Sequence, residues 1–427
     1  MKTPIHSFLQ NYTKNNTIRC HMPGGKGKNN PFDITEIEGA DNLYDASGII
    51  LESEEIAASL FGAGSTLYSC GGSTLAIQGM LSVIRQTCTK NTIIAGRYSH
   101  KSLINTAIML DFDIKWAYPK EYLGADISPD EIERLIDEKT AAVFINSIDY
   151  YGGKADISAI CEVCKKHSVP LLVDNAHGAY LVFTDNHPIK LGADMTADSA
   201  HKTLPSLTGG AYLHLRDKNL RNAAENAMAM FGSSSPSYVI MDSLDTCNRF
   251  ISEQKNEALR LIHDINVFKL WLSDIGYTLK ESDAVRVTID TAKYGYTGCE
   301  FAGLLRSKEA ECEMCDDRYV VLLFSVTQNK TDFMRLYSIM RNIPKKEPVS
   351  VQPHIILHPK RMRAPRKAYF SPFETIRTED SLGRICRGVH TSCPPCVPIV
   401  MPGEKIDKGC IAELLRYGIK EIEVIVK

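Results

Sequence analysis

Between Glu52 and Leu215 the chain alternates short apolar, β-branched runs with longer stretches whose apolar residues recur at helical spacing. TIIAG (92–96), AAVFINS (141–147) and PLLVDNA (170–176) are bounded by turn residues and are too short to stand as helices, so they predict buried strands. LAIQGMLSVIRQ (75–86) predicts a helix, with Ala76, Met80, Val83 and Ile84 on one face. So do SPDEIERLIDEKT (128–140) and DISAICEVCKKHS (156–168). SPDE supplies a cap, a proline and acids in the order that opens a helix. Strands alternating with helices in this way predict an α/β fold, a mostly parallel sheet with helices on both faces.

After about Leu259 the texture changes. RVTIDTAKYG and YVVLLFSVTQ predict strands of a smaller α+β unit, which ends in a helix near DFMRLYSIMRNI. KKEPVSVQPHIILHPKRMRAPRK is proline-rich and basic, the composition of a linker or surface crossing. The remaining segment carries turn signals through CPPCVP and MPGEKID before a closing helix at IAELLRYG. These shifts divide the chain into an N-terminal arm (1–30), a large domain (31–258) and a small C-terminal domain or domains (259–427).

Charge adds mainly exclusions. The 427 residues carry 49 basic and 51 acidic side chains, a net of −2, with no basic stripe that would suit nucleic acid. No apolar run approaches the roughly 20 residues that span a bilayer, and MKTPIHSFLQNYTKNN lacks the apolar core of a signal peptide. A cytoplasmic protein with a small-molecule partner, and neither membrane nor nucleic-acid binding, is the expectation. The 13 cysteines include three C-x-x-C pairs, Cys161 with Cys164, Cys312 with Cys315, and Cys393 with Cys396. The spacing suits zinc, yet each pair would need a distant partner, so they read as reduced thiols and no metal site is expected.

The chemistry lies in the loops after the predicted strands, where open parallel sheets bind their ligands. Gly71-Gly72-Ser73-Thr74 follows YSC, and Arg97-Tyr98-Ser99-His100 follows TIIAG. Tyr150-Tyr151-Gly152 follows AAVFINS, Asp174-Asn175-Ala176-His177 follows PLLV, and Ser199-Ala200-His201-Lys202 follows DMTAD. A Gly-Gly-Ser-Thr turn entering a helix offers backbone N–H groups, a positive dipole end and two hydroxyls to a phosphate. A carboxylate ending a buried strand, as Asp174 does, needs a partner. The protonated ring nitrogen of pyridoxal 5′-phosphate is one. Lys202 stands between His201 and the apolar, glycine-containing TLPSLTGG, surroundings in which a lysine amine can form a Schiff base. Each group has a plainer role open to it: a common glycine–serine turn, a helix-capping aspartate, a surface histidine at position 100. Five such loops at one sheet edge favour the cofactor.

HMPGGKG, DNLYDASGII, the GGST turn, RYSHKS, YYGG, VDNAHGAY and DSAHKTLPSLTGGAYLHL closely resemble the ornithine/lysine/arginine decarboxylase family, densely from about residue 21 to 215. SLGRI, PP and MPGEKI resemble that family's terminal domain. The resemblance implies an aspartate-aminotransferase-type fold and a pyridoxal-phosphate-dependent decarboxylase of lysine, arginine or ornithine, acting as a homodimer or higher oligomer. It implies that Lys202 carries the cofactor, Asp174 bonds the ring nitrogen, His177 lies close by and His100 stacks on the ring. Gly72, Ser73, Thr74, Ser199 and His201 would hold the phosphate. The pattern is broken where Gly25 replaces a family histidine. It is broken again at Asn175 and Tyr180 within DNAHGAY, at Ile148 and Asp149 before the tyrosine pair, and at Cys393 and Cys396. Asp149 and Glu404 are candidates to meet the cationic end of such a substrate. Another reaction of the same cofactor, transamination or a lyase reaction, and a non-catalytic protein on this fold stay open.

Overall fold

A computed structural model of the chain describes residues 1–391 and 397–426. Seven strands form the main sheet: β1 (Ser65–Ser69), β2 (Thr92–Gly96), β3 (Asp113–Ala117), β4 (Thr140–Asn146), β5 (Leu171–Asp174), β6 (Met195–Asp198) and β7 (Ala211–Leu215). Their order is β1-β7-β6-β5-β4-β2-β3. Strands β2 to β6 run parallel, and only β7 opposes its neighbours. All residues of β1, β2, β5, β6 and β7 are buried. A sheet covered on both faces demands this, and it explains why these strands read as apolar runs.

Alternation along each strand divides the core into two layers. Ile93 and Phe144 face one way and pack with the Gly72–Thr87 and Lys101–Leu110 helices through Met80, Leu103 and Ile104. Ile94, Val143 and Ile145 face the other way, against Ile132 of the Pro129–Leu135 helix and Ile160 of the Ile157–Lys166 helix. Each such side chain fully buried contributes about 1.5–3 kcal/mol. The helix expected over 128–140 stops at Leu135, because Asp137 turns the chain by accepting from Lys139 N and Thr140 Oγ1, and Thr140 already begins β4. At the sheet edge, β3 carries half-buried Asp113 and Lys115, a charged edge that discourages pairing with a further strand.

The change of texture near Leu259 falls within the Lys255–Asp274 helix, which leads into a second, antiparallel sheet. This contains β8 (Leu279–Lys280), β9 (Arg286–Asp290), β10 (Met314–Cys315) and β11 (Tyr319–Leu323), in the order β10-β11-β9-β8. The basic, proline-rich stretch crosses the surface, and 345–360 forms neither helix nor strand. It delivers Arg361 to the exposed edge of the main sheet, where Arg361 Nη1 donates to Ile114 O at 3.2 Å. A final pair, β12 (Phe373–Arg377) and β13 (Glu421–Ile425), packs with the Lys408–Arg416 helix. Cys161 and Cys164 are buried in the core beneath their helix, while Cys393 and Cys396 lie outside the described residues. Among the described residues no helix is long and apolar enough to cross a membrane.

One buried ion pair fastens the C-terminal segment to the main sheet. Arg97, just beyond β2 and 1% exposed, donates from Nη1 to Glu404 Oε1 at 2.7 Å and from Nη2 to Glu404 Oε2 at 3.0 Å. Its Nη2 also reaches Ile399 O, Trp116 lies beneath the guanidinium, and Met401 N donates to Glu404. Glu404 is therefore occupied, which corrects its reading as a partner for the substrate cation. Glu404→Gln should leave Arg97 without its counter-charge and cost about 3–5 kcal/mol in urea denaturation. Arg97→Met combined with Glu404→Leu should recover much of that loss. A single variant within about 1 kcal/mol of wild type would show that the pair is not the fastening.

Candidate active site

The parallel strands bring their carboxyl ends together at one edge, and the candidate site residues gather there. β5 ends at Asp174, and β6, paired beside it, ends at Asp198 and runs through Ser199 into the short Ala200–Thr203 helix that carries Lys202. Lys202 Nζ lies 2.9 Å from His177 Nε2. On the far side of the ring, Arg286 Nη2 donates to His177 Nδ1. A guanidinium has no acceptor, so Nδ1 must be the accepting nitrogen and a neutral ring carries its proton on Nε2, facing Lys202. Burial first, then the charges of Lys202 and Arg286, hold His177 well below the usual histidine range. The ring is neutral.

Arg286 is itself fixed. Its Nη1 donates to Asp283 Oδ2 at 2.6 Å and its backbone N–H to Asp283 Oδ1 at 3.0 Å, while Tyr180 OH donates to Asp283 Oδ2 at 3.0 Å. A chain of contacts thus runs from Tyr180 through Asp283, Arg286 and His177 to Lys202, and it links the second sheet to the main one. The Tyr150 ring stands edge-on to His177, with centroids 5.0 Å apart. Sequence patterns did not reveal Arg286 or Asp283. The available signal was an arginine opening the short, β-branched RVTID strand, and its side chain is fully buried.

Asp174 is buried and accepts from Ala176 N at 3.0 Å; burial pushes its carboxyl up to about 6, against a lesser pull from Lys202. A buried carboxylate in this state is stabilised by a protonated nitrogen of a ligand. His100 caps the Lys101–Leu110 helix by accepting from Ser102 N at 3.2 Å. Burial and then the Lys202 charge lower it to about 4, so it too is neutral at pH 7. Nearby, Ser199 Oγ donates to Ser73 Oγ at 2.8 Å. Gly72 holds φ +67°, and a Cβ there would meet nothing within 4 Å, so space lies open at the N-terminus of a 16-residue helix. Backbone N–H groups, dipole and hydroxyls at that opening form an anion cradle. Thr74 is exposed in the same first turn, and His201 Nδ1 donates to Gly210 O at 3.1 Å.

Two substituted positions lie behind the site. Asn175 turns away from Lys202: its Nδ2 donates to Asp198 Oδ2 at 2.7 Å, and its Oδ1 accepts from Ser147 Oγ at 2.6 Å. Asp149 curls into its own turn, accepting from the backbone N–H groups of Tyr151, Gly153 and Ala125. Its carboxylate is spent on that turn, which corrects its reading as a substrate contact.

The model of the Orn/Lys/Arg decarboxylase family, major domain, matches residues 3–270. The chain belongs to this family. It is 28% identical to the uncharacterized protein YaaO of Bacillus subtilis, over 97% of this chain and 94% of that protein. It is also 28% identical to an arginine decarboxylase of Halalkalibacterium halodurans, over 96% of this chain and 92% of the relative. The lysine decarboxylase LdcF of Francisella novicida shares the fold, with a TM-score of 0.82 at 15% identity, over 99% of this chain and 81% of that one. As a family member the chain is an amino-acid decarboxylase, and the mostly parallel sheet with its smaller C-terminal sheets is the fold expected of one.

In this decarboxylase, Arg286→Met should destabilise the protein by about 3–5 kcal/mol, because Asp283 would be left buried and unpaired. Adding Asp283→Asn should restore the melting temperature. Turnover should nevertheless stay about 100-fold down, since His177 would lack the donor that orients it. Full activity in the stable double variant would refute the positioning of His177 by Arg286.

Proposed function

We propose that the enzyme decarboxylates a basic amino acid, lysine, arginine or ornithine, with pyridoxal 5′-phosphate held through Lys202. The observation that carries this reading is the placing of Lys202 Nζ against neutral His177, with the buried Asp174 carboxyl at the same sheet edge. The residues present fit the cofactor: Asp174 for its ring nitrogen, His100 for its ring face, and the Gly72–Ser73–Thr74 turn with Ser199 and His201 for its phosphate. Bound there, the cofactor supplies an electron sink for the pair left behind as CO₂ departs.

The chain's own residues supply the proton that replaces CO₂ at Cα. His100 and His177 are both neutral at pH 7, so neither delivers a proton from an imidazolium. That leaves Lys202 Nζ as the carrier; in its free-amine form it accepts from the Nε2–H of His177. Burial of Asp174 and His177 keeps water away from the reacting centre. On the family resemblance the protein acts in the cytoplasm as a homodimer or higher oligomer. With Glu404 and Asp149 both engaged internally, other groups meet the substrate's distal cation.

The test is amine and CO₂ release from lysine, arginine, ornithine, leucine and glutamate by the purified holoenzyme. Release from at least one basic amino acid is expected, with none from leucine or glutamate. Borohydride should fix the cofactor to one peptide, the one containing Lys202, and Asp174→Asn should keep the fold while losing at least about 100-fold in kcat. Labelling of another lysine, or near-wild-type turnover by the folded Asp174→Asn variant, would contradict the assigned roles. Preferential turnover of an uncharged or acidic amino acid would overturn the substrate class.

A further inference from the structure

The Cys312–Cys315 spacing suggested a local pair, but the fold gives Cys315 another neighbour. Cys299, in the first turn of the Gly298–Arg306 helix, is exposed, and its Sγ lies 3.8 Å from Cys315 Sγ on β10. The Cys315 thiol hydrogen donates toward the Cys299 sulfur, and the Cys299 thiol in turn faces Asp316 O at 3.9 Å. Disulfide sulfurs stand about 2.05 Å apart, so the pair needs an approach of under about 2 Å. Both sulfurs sit on short, peripheral elements: β10 has two residues at the edge of its sheet, and Cys299 is at a helix end. Such elements adjust locally without disturbing a core.

The two thiols are unequal. Cys299 is the exposed one, open to a reagent from solvent. Burial first, with Cys299 beside it, pushes the half-buried Cys315 thiol up to about 12, so it stays protonated until a reactive sulfur is presented to it. Exposure selects the first attacker, and proximity selects the second.

We propose that Cys299 and Cys315 form a dithiol site that hydroperoxides convert to an intramolecular disulfide. In the first step the Cys299 sulfur attacks the terminal oxygen of ROOH. The O–O bond breaks, ROH leaves with the thiol proton, and Cys299 becomes a sulfenic acid, oxidised by two electrons while the peroxide is reduced. In the second step the Cys315 sulfur attacks the Cys299 sulfur, the S–O bond breaks, and the hydroxyl leaves as water with the Cys315 proton. The sum is two thiols and ROOH giving one disulfide, ROH and water.

The experiment treats the reduced full-length protein with a small excess of hydrogen peroxide, alkylates the remaining thiols and maps peptides without reduction. The expected result is loss of two alkylatable thiols per chain, a single cross-linked peptide joining Cys299 to Cys315, and its reversal by dithiothreitol. Cys299→Ser and Cys315→Ser should each abolish that cross-link, whereas Cys312→Ser should leave it at its wild-type yield. A Cys312–Cys315 or Cys299–Cys312 cross-link, or over-oxidation of Cys299 with no cross-link while Cys315 remains alkylatable, would overturn the proposal.

Discussion

The contact between Arg286 and His177 joins the two sheets at the point where Lys202 sits, and the geometry of the site depends on it. Arg286 and Asp283 are both buried, so their charges have no recourse to water. Each must keep its partners, and those partners lie on different elements: Asp283 before β9, Tyr180 and His177 after β5. Such a pair adds little stability over an apolar substitute, but it admits few arrangements. Here that selectivity falls on one imidazole. The second sheet therefore contributes directly to the candidate site.

Behind Asp174 a second polar layer holds the strand ends in register. Asp198 accepts from Asn175, Thr196 and His187, and Asn175 also takes a hydrogen bond from Ser147 at the end of β4. This explains the neutral amide at position 175, since a carboxylate there would face Asp198 in a water-free interior. His187, Asp198 and His214 bring metal-type ligand atoms within 4.8 Å of one another. Ile189 N–H donates to His187 Nδ1, however, which places the ring proton on Nε2, directed at Asp198. Hydrogen bonds thus account for His187 and Asp198, whereas His214 Nε2 has no hydrogen-bond partner among the described residues. Tyr180, the other substituted residue of DNAHGAY, steadies Asp283 from the main-sheet side.

What the sequence made legible was local. TIIAG coincides with β2, and the loops after β1, β2, β4, β5 and β6 do converge, because strand and turn signals are encoded within a few residues. What it hid was pairing across distance. Arg286 is 109 residues from His177, and Arg97 is 307 from Glu404, so nothing in either neighbourhood names its partner. Glu404 looked available for that reason. Asp149 is a different case: an aspartate four residues before Gly153 is a turn-forming signal, and the turn it forms consumes its carboxylate. The antiparallel β7 was also missed, because AYLHL is as apolar as its parallel neighbours and strand direction leaves no mark on composition.

Burial then sets the protonation of the whole site in one stroke. Removing His177 and His100 from water disfavours their cations, and the Lys202 charge acts in the same direction on both. The same burial disfavours the Asp174 anion and raises it to about 6, with Lys202 opposing. The two imidazoles are left neutral and the Asp174 carboxyl is left in need of a cationic partner, all of them close enough to Lys202 to feel its charge. A site meant only to bind could tolerate other protonation patterns. One that must take up a single proton at carbon benefits from having a single carrier, and on the proposed mechanism that carrier is the Lys202 amine, set beside two neutral rings.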